Sequence, residues 1–262
     1  MVHNYPGTFT VIDGLDGVGK GVIIEGIVED LQRHGARVFS LDDWWKTHSF
    51  HPEFNFLNKT NDYAYHNLES FDVLLSSEPS YTQIGQAIRE EVIRNNERQY
   101  SARFTAELYA ADRLILHKRV LLPVLATGKH VIQSRSVSTS IVYQSQQKLA
   151  DGELPLSMEE IMAMEGNTFC LDNGPNLLII PTIKDVQTVM SRLAEREKQD
   201  HAQFENLAFQ LVLKPFYEGG ILRDIFEIHG TTVKYIDAGI SIEESKRQAV
   251  AVFRERFRDI LF

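Results

Sequence analysis

The residues best equipped for chemistry come early, in Gly14-Leu-Asp-Gly-Val-Gly-Lys20, which has the spacing G-x-x-x-x-G-K. Glycines so spaced let a backbone curl with its N–H groups inward, and the lysine then reaches the outer phosphates of a bound chain. The short apolar run Phe9–Ile12 ends just before the loop, and an amphipathic helical pattern starts inside it at Lys20. Strand, tight loop and helix N-terminus in that order form a phosphate cradle, because the helix adds its positive end. Gly14, Asp16, Gly17, Val18, Gly19, Lys20 and Gly21 are the candidate contacts to a nucleotide triphosphate. Gly21 departs from the rule that Ser or Thr follows the lysine to ligate magnesium.

The surrounding elements must hold this loop at one edge of a sheet. Besides Phe9–Ile12, runs at 37–41, 72–76, 130–133, 177–180 and 232–236 read as strands. Helical periodicity fills 20–34, 83–95, 101–127, 184–198 and 204–217, and Gly35 stops the first of these. Ser241 and Glu244 open a last helix as a capping box. Strands alternating with helices predict an α/β fold with a parallel sheet of about five strands and helices on both faces. The ligand then belongs at the carboxyl edge of the strands. The segment from about 42 to 70 carries Trp44, Trp45, Phe50, Phe54, Phe56, Tyr63 and Tyr65 without a clear period. It reads as an ordered aromatic-rich insertion in a single domain covering 1–262.

Net charge is −9 over 262 residues, which argues against a nucleic-acid partner but not against a small phosphorylated ligand. The single cysteine, Cys170, excludes an internal disulfide and suits a reducing compartment. The absence of a signal peptide and of a long apolar run predicts a cytoplasmic protein off the membrane. The nine histidines have no metal-ligand spacing, and the metal ligands stay unassigned.

Four ordered stretches resemble the thymidylate kinase family of P-loop nucleoside monophosphate kinases: residues 9–20, 77–91, 108–113 with 128–144, and 176–217. They look like the family's opening strand and P-loop, its Glu-Pro segment, its ADR motif with the Asp-Arg-aromatic turn, and its lid. The resemblance implies a three-layer P-loop NTPase-type sandwich, ATP and magnesium as cofactors, and a homodimer. It also implies roles. Asp16 would hold the sugar hydroxyl, Glu78 would belong to the acceptor site, Tyr109 would stack on the base, and Arg113 would donate to a base carbonyl with Asp112 orienting it. Arg135 would pair with the acceptor phosphate, Ser140 and Gln144 would touch the base edge, and Tyr143 would close over the deoxyribose. Lys20, Arg135, Arg192 and Arg196 would carry the charge of the transition state, the last two from a lid at about 190–205.

The chain departs from the family at Gly21, at Ser134 where an aspartate is usual, and at Ser77 where an arginine is usual. The expected activity is transfer of the ATP γ-phosphoryl group to a pyrimidine deoxynucleotide, dTMP first. The alternatives are a sister kinase for another nucleoside or nucleotide and a catalytically weakened nucleotide-binding protein.

Overall fold

In the computed structural model, residues 4–54, 70–94, 96–98, 100–147, 155–189 and 206–261 are described. Six strands form one sheet: β1 (Phe9–Ile12), β2 (Val38–Ser40), β3 (Val73–Ser77), β4 (His130–Ser134), β5 (Leu177–Thr182) and β6 (Thr232–Asp237). The order is β2-β3-β4-β1-β5-β6, with every pair parallel. All six are runs legible in the sequence, one more strand than the five expected. Their near-continuous apolar character fits a sheet buried on both faces. Phe9, Val11, Leu178 and Ile180 point to one side, and Ile12, Leu177 and Ile179 to the other.

The second face is covered by α1 (Lys20–Arg33) and α11 (Ile242–Leu261), whose Ile23, Ile27, Ala249 and Phe253 meet the strands. Arg254 clamps the two helices with a two-pronged bond to the Asp30 carboxylate (2.8 and 2.7 Å). The capping Ser241 accepts from the Glu244 amide at 3.1 Å, as its spacing predicts. The first face carries α4 (Ala102–Leu116), which runs through a π-helical turn, His117–Leu121, into α5 (Leu122–Ala126). It also carries α6 (Val137–Gln146), α9 (Leu207–Glu218) and α10 (Ile221–Ile228).

Three features differ from the expectation. β2 stops at Ser40 because that side chain accepts from the Asp43 amide (3.1 Å) and caps α2 (Leu41–Thr47), so the insertion opens as a helix. The helix expected over 83–95 is α3 (Gln83–Ala87) continued by a π-helix, Ile88–Ile93. Between β4 and β5 stand two helices that the reading of periodicity missed, α7 (Met158–Met162) and α8 (Glu165–Asp172), as it also missed α10 before β6. Ser157 and Glu160 form a capping box in front of α7, a signal present in the sequence. Residues 55–69 of the insertion, the lid at 190–205 and its Arg192 and Arg196 lie outside the described residues.

α8 lies against α4 at a close backbone approach. A Cβ on Gly166 would stand 1.9 Å from the Ala110 carbonyl oxygen, which belongs to backbone and cannot swing away. Gly166→Ala should therefore push the two helices apart and destabilise the protein by about 1–3 kcal/mol. Urea unfolding checks this: a midpoint equal to that of the parent protein would mean that the contact is slack.

Candidate active site

The loop after β1 is set by Asp13 at its base. The Asp13 carboxylate accepts from the Gly14 amide (2.8 Å), from both Ser138 and Thr139 at the start of α6, and from the Tyr217 hydroxyl (3.2 Å) on α9. Above it, Gly17 (φ 77°) and Gly19 (φ 101°) adopt left-handed conformations that side chains resist, and they turn the chain into α1. α1 begins with no side-chain cap and no acidic residue in its first turn. Its positive end is thus left for an anion. Lys20 reaches back across the loop, its ammonium donating to the carbonyls of Gly14 (2.9 Å) and Leu15 (2.8 Å).

Asp16 joins this loop to the next wall. Its amide donates to the Gln210 side-chain oxygen (3.0 Å), and its carboxylate accepts from Tyr143 (2.9 Å), Gln210 (3.3 Å) and Arg135, with Lys20 at 3.9 Å. Burial works to raise the Asp16 pKa, but Arg135, Lys20 and the hydrogen bonds outweigh it and hold the carboxyl below its ordinary value. Arg135 leaves the end of β4 with a positive φ of 66° and lies over the Tyr143 ring.

The third wall is a buried ion pair. Arg113, 1% exposed, donates through Nε to Glu78 (2.7 Å). Its remaining nitrogens donate to Asn167, Ser140 (3.0 Å) and the Ser136 carbonyl (3.3 Å). Four of the five guanidinium N–H groups are thereby engaged inside the protein. Glu78 also accepts from Gln133 (3.0 Å), and burial pushes its carboxyl up to about 7 against the pull of Arg113. Tyr109, one turn before Arg113, shares its face of α4 and packs on Ile88 and Val92.

Two expectations need correcting. Asp112 does not orient Arg113: its carboxylate accepts from the Ser80 amide (2.8 Å) and hydroxyl (2.7 Å), and Glu78 and Asn167 hold the guanidinium instead. A residue next to Arg113 on a helix points about 100° away from it, so a partner from another element was the better geometric choice. Ser140 and Gln144 lie behind the cavity wall rather than on it. The Gln144 side-chain oxygen is buried without a hydrogen-bond partner.

Residues 16–22, Glu78, Tyr109, Arg113, Arg135 and Tyr143 all line one cavity of about 990 Å³ at the carboxyl edge of β1, β3 and β4. The same cavity is lined by Asp42, Tyr81 and Arg89, and by Ser241 and Ser245 of the last helix region, none of which the sequence reading assigns to the site.

The donor set for a metal is thin. Gly21 offers no hydroxyl, Asp13 and Asp16 are committed to hydrogen bonds and ion pairs, and Glu78 is locked to Arg113. Among the described residues no group of three His, Cys, Asp or Glu side chains is arranged to hold a metal. The residues present do not fit a magnesium ion held by protein side chains.

The thymidylate kinase family model matches residues 60–249. The chain belongs to the thymidylate kinase family. The match begins beyond the phosphate loop, but a thymidylate kinase of Lactobacillus delbrueckii is 23% identical over 257 residues, 97% of this chain and 99% of the relative. One from Anoxybacillus flavithermus is 29% identical over 169 residues, 64% of this chain and 75% of the relative. The solved thymidylate kinase of Candida albicans shares the fold, with a TM-score of 0.59 at 15% identity, over 95% of this chain and 92% of that one. This thymidylate kinase family member is a phosphotransferase, a nucleoside monophosphate kinase built on a P-loop α/β sheet.

Asn167 is the residue of this site that no motif signals. It sits fully buried in α8, accepting from Arg113 and donating to the Ile161 carbonyl (2.7 Å). Asn167→Ala strands both partners, so unfolding free energy should drop by about 1–3 kcal/mol. A urea titration of the variant beside Ala163→Gly, an exposed position close by, measures the difference. Equal losses in the two variants would remove the case for a specific bond.

Proposed function

We propose that this protein transfers the γ-phosphoryl group of ATP to dTMP. The observation that carries this is the single cavity whose walls combine an uncapped phosphate loop with the Arg135–Tyr143 and Tyr109–Arg113 pairs. ATP is held through the loop amides, the N-terminus of α1 and Lys20, which exchanges its two carbonyl partners for phosphate oxygens. The base stacks on Tyr109. Arg113 has one N–H group left for a base carbonyl. Tyr143 packs on the deoxyribose, with Asp16 beside its hydroxyl.

Arg135 pairs with the acceptor phosphate, and Arg192 and Arg196 add charge from the lid at 190–205. The acceptor oxygen is already anionic, so cations and alignment carry the reaction and no general base is needed. Magnesium, if it accompanies ATP, would supply charge neutralisation, with few protein side chains to hold it. The enzyme works as a single-domain cytoplasmic homodimer on small nucleotides and needs neither nucleic acid nor membrane. No helix of the described residues is long and apolar enough to cross a membrane.

Lys20→Ala removes a charge-assisted contact worth about 1.5–3 kcal/mol, so ATP affinity should fall by about ten-fold or more with dTMP affinity kept. Calorimetric titration of each nucleotide separates the two; an unchanged ATP affinity in the folded variant rejects the assignment.

Thin metal handling should make turnover slow. A Cβ on Gly21 meets nothing within 4 Å, so a threonine fits there without displacing a neighbour. Gly21→Thr with Ser134→Asp should raise turnover and lower the magnesium needed for half-maximal rate. A parent enzyme already turning over at about 1–100 s⁻¹, the usual kinase range, would show that other groups handle the metal. A slow parent that stays slow in the double variant would favour a nucleotide-binding protein.

A further inference from the structure

Ser77 stands where the family resemblance leads one to expect an arginine, and its hydroxyl donates to Asp42 at 2.7 Å. The cavity wall nevertheless carries more positive than negative groups. Its carboxylates are Asp16, Asp42 and Glu78; its cations are Lys20, Arg89, Arg94, Arg113 and Arg135. Lys20 and Arg135 share Asp16, and Arg113 holds Glu78. The positive charge not spoken for lies on Arg89 and Arg94, with Asp42 facing Arg89.

These two arginines are five residues apart. On a regular α-helix that separation leaves side chains about 140° apart around the axis. Here the segment Ile88–Ile93 is a π-helix, and the Arg94 amide donates to the Arg89 carbonyl at 3.1 Å, the i→i+5 bond of that geometry. Arg94 therefore stands one wide turn above Arg89, on the same side of the helix and on the same cavity.

Arg89 is held in position. Its guanidinium lies 3.5 Å from the Tyr81 ring centre, and it donates to the carbonyls of Ser80 (3.1 Å) and Pro79. Arg94 is exposed at the cavity rim, and its guanidinium has no hydrogen-bond or ion-pair partner among the described residues.

We propose that Arg94, with Arg89 beneath it, binds the phosphate of the acceptor, supplying from the π turn the cation that position 77 lacks. This rests on the monophosphate acceptor proposed above. A phosphate monoester carries between one and two negative charges near neutral pH, which suits a rim with an unpaired guanidinium. Arg135, at the carboxyl end of the neighbouring strand β4, lines the same cavity and shares the phosphate with them. Asp42 opposes the anion and sets a limit on its affinity.

The test compares dTMP with thymidine, which has the same base and sugar without the phosphate. Arg94→Ala should weaken dTMP binding by about ten-fold, the loss of one charge-assisted contact, while thymidine affinity stays within two-fold. Arg94→Lys should fall between, and Asp42→Asn should tighten dTMP alone. Arg94 is exposed, so the fold should survive, and circular dichroism verifies that. If the parent protein prefers dTMP to thymidine and Arg94→Ala leaves that preference intact, the assignment of Arg94 is wrong. If the parent shows no preference for dTMP, the monophosphate reading fails, and the phosphate subsite with it.

Discussion

The buried pair of Glu78 and Arg113 constrains most of what surrounds it. A charge taken out of water must find a partner or be neutralised, and each ion costs several kcal/mol to bury. Arg113 is 1% exposed, so its donors have to be met by protein, and the partners come from three different parts of the fold. Glu78 follows β3, Ser136 and Ser140 belong to the start of α6, and Asn167 comes from α8, while Gln133 on β4 donates to Glu78 in turn. Satisfying one guanidinium therefore fixes how the helices of the first face meet the sheet. Tyr109, one turn away on α4, gets its position from the same set of bonds.

What could be read from the sequence follows the range of the forces involved. The glycine loop, the six strands and the first helix rest on local rules of spacing, and they lie within a residue or two of where those rules put them. The residues that line the cavity, from Asp16 through Tyr109 and Arg113 to Arg135 and Tyr143, converge because motif order fixed their strand ends. The partners of those residues were not legible. Asn167 meets Arg113 across 54 residues, and Gln210 meets Asp16 across 194, with no local pattern to announce either bond. Asp112, which the resemblance pairs with Arg113, instead accepts from Ser80 across 32 residues, a bond no local pattern announces. The π turn at Ile88–Ile93 has no marker in composition, whereas α7 carried a capping box that would have revealed it.

The departures from the family pattern look different once they have neighbours. Ser77 is not an empty position, since its hydroxyl is bound to a carboxylate that the insertion brings in on α2. Gly21 sits in open space, so the missing hydroxyl is not excluded by packing. The first is a rebuilt wall; the second is a vacancy in the ligand set.

Asp16 gives the two halves of the cavity a common wire. The same carboxylate touches Lys20 on the proposed triphosphate side and Arg135 and Tyr143 on the proposed acceptor side, while Gln210 grips it from α9. A nucleotide that draws Lys20 away from Asp16 leaves that carboxylate more fully available to Arg135, and a phosphate that draws Arg135 away does the reverse for Lys20. Occupancy on one side thus alters the energy of occupancy on the other. Thermodynamic reciprocity makes the factor identical in both directions, so the order in which two nucleotides enter cannot change the affinity of the pair.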